Sequence, residues 1–214
     1  MILEELNRRG LKGIFFVNGH HITRNRPEDL ARRNLLRKLA LHGHLVGNHG
    51  LSHRNLCQER ELMAKEIDGS AELVTYATGV RPLLFRSPYG ARCRALDQAL
   101  KEREVVQVGW NLDPQEWKGG TEEAIVTYVS RELRKIQGPV ILLLHDKNMA
   151  AVRALPRILD FIEAENRNGL VPIRVVDYRV FLPEKPLREV GLTSLVQSMA
   201  AAFSAFDSIG NHRQ

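Results

Sequence analysis

The order of elements in this sequence predicts an α/β fold with a parallel sheet, wound as a barrel or left open. Three observations carry that prediction. Strand-like and helix-like segments alternate over about 180 residues, a rhythm that right-handed crossovers turn into parallel strands. The run Val140-Ile141-Leu142-Leu143-Leu144 is apolar at every position, as in a strand covered on both faces by helices. The polar residues hardest to explain as packing fall just past the carboxyl ends of the strand-like runs, the edge at which parallel α/β folds collect their chemistry.

Apolar spacing and turn residues define the elements in order. A helix over Met1–Arg9 breaks at Gly10, and a short strand Gly13–Val17 ends at Asn18-Gly19. Pro27 opens a helix that runs to Leu41, Leu45–Gly47 is a strand, and Glu59–Tyr76 is a long helix closed by Gly79. A strand at Leu83–Phe85, a helix over Ala95–Arg103 and a strand Val105–Trp110 follow, and then a helix Thr121–Ile136 that stops at Gly138-Pro139. After the apolar run come a helix Ala151–Glu165 capped by Gly169, a last strand Val171–Tyr178, and a tail in which Leu192–Phe206 has helical spacing and Ser208–Gln214 looks frayed. Residues 1–182 thus form one domain, and 183–214 a C-terminal extension with a helix.

Composition narrows the functional classes. With 43% hydrophobic and 26% charged residues in 214, one ordinary globular unit is expected. No uninterrupted apolar run approaches the roughly 18 residues of a membrane span, and Met1–Gly10 lacks the apolar middle of a secretory signal. The net charge of +6 is spread over helix faces such as Arg32, Arg33, Arg37 and Lys38, without interleaved aromatics. A solvated surface is expected, not a nucleic-acid footprint. Cys57 and Cys93 show no CxxC or histidine spacing and are expected to be two ordinary thiols.

Four clusters follow strand ends. His49 and His53 stand four positions apart, so that one turn or a tight loop aims both imidazoles at one cation, of the zinc, cobalt, nickel or iron kind and not magnesium. Two surface histidines would show the same spacing, but the Gly-rich apolar stretch that delivers His49 straight off a strand weighs against mere solvation. Arg86-Ser87-Pro88-Tyr89 sets a guanidinium beside a turn-fixing proline, suited to clamping a carboxylate or to an ordinary salt bridge. Asp113-Pro114-Gln115-Glu116-Trp117 offers two carboxylates and an indole, for holding a histidine and excluding water, or for a turn with a packing tryptophan. His145 follows five apolar residues at a strand mouth, where desolvation and a neighbouring acid would tune it for proton transfer; a satisfied core histidine is the alternative.

In this order, the segment Ile2–Gly19, the stretch Gly43 to His53, Arg86 to Tyr89, Asp113 to Trp117, and Leu143-Leu144-His145 resemble the polysaccharide deacetylase family, the NodB homology domain of carbohydrate esterase family four, over roughly residues 1 to 180. The resemblance implies a distorted (β/α) barrel that removes acetyl groups from N-acetylated glycans such as chitin or peptidoglycan. His49 and His53 would be metal ligands for a divalent ion, zinc above all, with cobalt or nickel as alternatives. That ion would polarise the amide carbonyl and activate water. The backbone N–H of Tyr89 would support the oxyanion. His145, held by Asp113, would be the general acid, Arg86 would orient the base, and Pro88, Trp117 and Leu143 would contact substrate. Family members are often exported; no partner other than the glycan is implied.

Two departures stand out. The family's first motif, a Thr-Phe-Asp-Asp-Gly-like strand holding the base and the third metal ligand, belongs ahead of the helix at Met1–Arg9. The chain as given starts after it, so the resemblance implies a barrel lacking its usual first strand, weak metal binding and little deacetylation by these residues alone. It also implies coding DNA before Met1 that reads in frame into a strand ending in Asp-Asp. A carbohydrate-binding relative with impaired catalysis and a fragment with a vestigial site are the alternatives; the joint presence of His49, His53, Arg86, Asp113 and His145 favours a competent longer enzyme. The second departure is Gly50, which stands where a hydroxyl residue commonly follows the first metal histidine.

Overall fold

The computed structural model describes residues 1–23, 26–168 and 173–175. Helix α1 (Ile2–Arg8) leads into strand β1 (Ile14–Val17), followed by α2 (Pro27–Leu41), β2 (Leu45–Asn48), α3 (Met63–Thr78), β3 (Leu84–Phe85), α4 (Arg94–Lys101), β4 (Val106–Gln107), α5 (Glu122–Lys135) and α6 (Met149–Asn168). The sheet order is β1-β2-β3-β4 and every pairing is parallel. Parallel neighbours in chain order require right-handed crossovers, which leave the connecting helices on one face. Consistent with this, α2 packs on α3 and α3 on α4. The α/β class and the parallel sheet are as the sequence predicts.

Local chemistry explains the boundaries. Pro27 sits at the first turn of α2, where its missing N–H costs nothing. Gly79 ends α3 with φ at 78°, and its N–H donates to the Thr75 carbonyl at 2.7 Å, a left-handed cap that a side chain would strain. Thr121 caps α5 by accepting from Ala124 N–H. Three apolar clusters hold the layers together. Ile22, Leu36, Leu39, Val46, Val74 and Ala77 join α2 and α3 to β2. Leu56, Ile67, Phe85, Leu96 and Leu100 join α3 and α4 to β3, and Leu112, Ile125, Val129, Ala154 and Ile158 pack α5 against α6. At the other end of the chain order, the Arg9 guanidinium, with only 6% of its side chain exposed, binds Glu5, Asp160 and Glu163 and so ties the end of α1 to α6.

Three expectations are corrected. Among the described residues the run Val140–Leu144 is not covered on both faces: Leu143 alone is buried, and the pairing is a Leu112–Leu142 bridge with flanking bonds from Asn111, Leu112 and Leu143. Uniform apolarity there reflects packing on one side against α5 and α6. The strand expected over Val171–Tyr178 is absent at 173–175, because the Asn166 side-chain amide takes both backbone groups of Ile173, at 2.7 and 3.0 Å. The rest of that strand, the Gly169 cap, the 182/183 boundary and the Leu192–Phe206 helix lie outside the described residues.

The third correction concerns the cysteines. Cys57 and Cys93, 36 residues apart in sequence, form a disulfide with Cα atoms 5.8 Å apart. Cys57 follows the loop leaving β2 and Cys93 is the N-cap of α4, and both pack on the cluster around Phe85. Tertiary folding brings them together, so linear spacing carried no signal. Reduction, or Cys57→Ser, is expected to lower unfolding free energy by about 2–4 kcal/mol in urea titrations. Two titratable thiols in the denatured, unreduced protein would show that the bridge does not form.

Candidate functional site

The register levels the carboxyl ends of the strands. Val17 pairs with Asn48, Asn48 with Phe85 and Phe85 with Gln107, so the next residues, Asn18, His49, Arg86 and Val108, form one row just past the sheet. Backbone bonds continue the ladder through that row: His49 N–H to Val17 O at 3.0 Å, Arg86 N–H to Asn48 O at 2.9 Å and Val108 N–H to Phe85 O at 2.8 Å. The strands therefore deliver an imidazole and a guanidinium side by side at the edge where parallel sheets bind ligands.

His49 is fixed by its neighbour in that row. Its Nδ1 lies 2.6 Å from the Arg86 carbonyl, so Nδ1 carries the proton and donates, leaving the lone pair on Nε2. Burial lowers its pKa to about 4, and the positive charges of His53, Arg86 and His145 push the same way, against the Arg86 carbonyl. The ring is neutral at ordinary pH. The chain then turns through Gly50 (φ 79°) to His53, itself at φ 62°. The His49 and His53 ring centroids are 5.0 Å apart, edge to face. His53 is also held below its usual pKa, first by burial and then by Lys147, with His145 and His20 adding to it.

Arg86 is buried, with 8% exposed. Its Nε donates to Val108 O at 3.2 Å and Nη2 to Gly109 O at 3.1 Å. The Phe16 ring lies 4.3 Å from the guanidinium carbon and Trp110 5.6 Å. Burial lowers its pKa to about 10. Among the described residues its partners are carbonyls and aromatic faces, not a carboxylate. Pro88 is buried beside the Gly50 turn, whereas Tyr89, at φ 60°, is 72% exposed with its ring 4.8 Å from that of His53. Of four non-glycine residues with positive φ among the described residues, His53, Tyr89 and Gln115 belong to these loops. Left-handed backbone outside glycine concentrates where geometry is held for a purpose.

The fourth and fifth clusters meet, but with a different carboxylate from the one expected. Glu116, not Asp113, holds His145: Glu116 Oε1 accepts the His145 backbone N–H at 2.7 Å and lies 2.8 Å from Nδ1. The reason is local. Asp113 is spent on the turn, accepting from Gln115 N–H at 2.7 Å, and Gln115 in the left-handed region (φ 54°) reverses the chain so that Glu116 points inward, fully buried. Burial pushes the Glu116 carboxyl up, but the hydrogen bonds from His145 outweigh it and hold the group below its usual range. The Glu116 carbonyl accepts from Asn148 Nδ2 at 2.8 Å, which ties the turn to the start of α6. Trp117 is 55% exposed with the Lys118 ammonium 4.9 Å from its ring centroid, and Leu143 is buried. His49, His53 and His145 share one electrostatic neighbourhood.

The family resemblance implies a divalent metal, and the geometry of the pair can be compared with what such an ion needs. Two imidazoles sharing one tetrahedral ion at about 2 Å from each nitrogen put their ring centroids roughly 5 Å apart, so the 5.0 Å between His49 and His53 fits. Neutral rings and the Nδ1–H to carbonyl bond of His49 are what such ligands need. Among the described residues no group of three or more His, Cys, Asp or Glu side chains is placed to hold an ion, so the fit extends to these two donors.

The sequence matches the polysaccharide deacetylase family over residues 1–108, just over half of the chain. The chain belongs to that family. Within it, a peptidoglycan-N-acetylglucosamine deacetylase of Bacillus cereus is 30% identical over 132 residues, 60% of this chain and 44% of the relative. A chitooligosaccharide deacetylase of Bradyrhizobium is 28% identical over 147 residues, 68% of this chain and 63% of that one. The chain thus spans less than two thirds of the length of either relative. Among solved structures, a family 4 carbohydrate esterase from Streptomyces lividans in complex with acetate superposes with a TM-score of 0.65 at 27% identity, covering 77% of this chain and 80% of that one.

The structure thus brings His49, His53, Arg86, Pro88 and Tyr89 to one edge, with His145 electrostatically close to the histidine pair, while Asp113 lies in an exposed turn and Glu116 contacts His145 in its place. Reading by motif also passed over Glu66, a buried carboxylate on α3 that binds the His49–His53 loop. A signal was present for both. Each is an acidic residue in an otherwise structured segment, Glu116 between Gln115 and Trp117 and Glu66 on the inward face of α3 beside Met63 and Ile67.

Proposed function

We propose that this chain carries the metal-binding and acid half of an N-acetyl glycan deacetylase, which cleaves an acetamide with water to give a free amine and acetate. The observation that carries this reading is the His49–Arg86 carbonyl bond, which leaves His49 Nε2 free as a donor beside the second imidazole, His53, at the sheet edge. A divalent ion held by His49 and His53, with zinc first and cobalt or nickel next, would supply Lewis-acid polarisation of the acetamide carbonyl.

The chain's own residues do the rest. His145, its Nδ1–H held by Glu116, keeps Nε2 free to deliver a proton to the departing nitrogen. Arg86 uses two of its donors on carbonyls and retains others to orient a carboxylate base. Tyr89, in a strained turn, brings its backbone N–H to the same edge for the oxyanion, and Trp117 and Tyr89 offer exposed rings for stacking on sugar faces. The names of the relatives, acting on peptidoglycan and chitooligosaccharide, support an N-acetylated glycan as the substrate class. The disulfide suits an oxidising compartment. A second reading, a carbohydrate binder with impaired catalysis, is favoured by the lack of a third donor among the described residues.

Acetate release from N-acetylglucosamine oligomers, with Zn²⁺, Co²⁺ or Ni²⁺, separates the two. The assay is run on this chain and on the longest in-frame product of its gene, each with His49→Ala and His145→Ala. Metal-stimulated release by either form, lost in both variants, is expected. Glycan binding without release in both forms would favour the binder, and release indifferent to His49 and to chelators would overturn the metal reading.

A further inference from the structure

We propose that Glu66 is a positioning residue for the histidine pair, acting through the loop that separates the two rings; this rests on the metal-binding reading above. Glu66 lies in the first turn of α3, is 3% exposed, and comes from a different element from either ligand. Its Oε2 accepts the backbone N–H of Leu51 at 2.9 Å and of Ser52 at 2.8 Å, and its Oε1 accepts the Ser52 hydroxyl. All three donors belong to the two residues just before His53.

A buried carboxylate is costly unless hydrogen bonds replace its water. Among the described residues no cation forms an ion pair with Glu66, so its charge is balanced by the loop donors. The same bonds fix the path from His49 to His53: the first stays in the sheet ladder, and the second depends on where residues 51 and 52 are pinned. Gly50 belongs to this device. A Cβ there would stand 3.1 Å from Glu66 Oε2, at a φ of 79°, so a side chain at this position would crowd the carboxylate and strain the backbone, and Ser52 supplies a hydroxyl donor two residues later. His53 is held in the left-handed region at the end of this pinned segment. Outer hydrogen bonds of this kind set ligand orientation, and their loss typically weakens metal affinity about 10–100-fold.

The test is Zn²⁺ affinity by competition with a chromophoric chelator, on the full chain and its Glu66→Ala, Glu66→Gln, Ser52→Ala and His53→Ala variants. Amide hydrogen exchange is followed without metal. Glu66→Ala is expected to weaken Zn²⁺ binding about tenfold or more, with partial rescue by Gln, which keeps one acceptor oxygen, and a smaller loss for Ser52→Ala. In the metal-free protein, exchange at Leu51 and Ser52 should accelerate in Glu66→Ala while the amides of α3 keep their protection. Should Glu66→Ala fail to fold, Glu66→Gln and Ser52→Ala carry the comparison. Unchanged Zn²⁺ affinity in folded Glu66 variants, alongside a loss in His53→Ala, overturns the positioning role and leaves the metal reading standing. Unchanged affinity in His53→Ala overturns the metal reading and this inference with it.

Discussion

Replacing Glu116 with alanine is expected to cost about 2–4 kcal/mol of stability, because it strips the part-buried His145 backbone N–H and ring N–H of their common acceptor and leaves a cavity where the fully buried carboxylate stood. Acetate release should fall on the order of 100-fold or more in the same variant, since the imidazole loses the group that fixes its tautomer and orientation. Glu116→Gln separates the two effects. The amide oxygen can still accept one N–H, so most of the stability should return, while a neutral acceptor bonds the ring N–H more weakly, holds the imidazole less firmly and leaves turnover low. Asp113→Ala is the contrast: its carboxylate accepts one backbone N–H in an exposed turn, and its loss should cost about 0.5–1 kcal/mol. Urea titrations and initial rates on the same preparations decide it. An Asp113 variant more damaged in rate than the Glu116 variant would reverse the assignment of the partner of His145.

The second large effect is an acid-limb loss of stability governed by His49. Its folded pKa of about 4 lies below the ordinary histidine value of 6.5, because burial penalises the charged ring. Between those values the unfolded chain binds a proton that the folded chain does not, so unfolding becomes easier as pH falls. The contribution is fully present above pH 6.5 and is lost progressively down to about pH 4, amounting to roughly 3 kcal/mol. Glu116, whose carboxyl is also held low by His145, adds a loss of the same sign further into acid. Unfolding free energies measured in chelator from pH 7.5 to 4 should decline through this window, and His49→Gln should flatten the decline although it lowers stability at pH 7.5. A wild-type curve that stays level from pH 6.5 to 4.5 would mean that His49 is solvated.

Much of this protein is legible in linear sequence because the signals are local. Pro27 at the head of α2, Gly79 at the end of α3, and the alternation of short apolar runs with helical spacing each act over a few residues. The strand ends read off that pattern place His49, Arg86 and His145 near one edge, since in a parallel sheet every strand points its carboxyl end the same way. The less local a feature is, the worse it reads. The apolar run Val140–Leu144 looks like a strand covered on both faces, yet composition cannot say how many neighbours arrive, and among the described residues it pairs with the segment around Leu112.

The sequence by itself therefore determined the alternation, the α/β class and which residue types stand past each strand, because propensity, caps and turns act between near neighbours. Tertiary structure alone decided that Glu116 and not Asp113 reaches His145, that Glu66 braces the loop between His49 and His53, and that Cys57 meets Cys93. Those choices depend on backbone reversals at Gln115 and Gly50 and on where α3 and α4 come to lie. A carboxylate or a thiol finds its partner across space, and no local spacing encodes that distance.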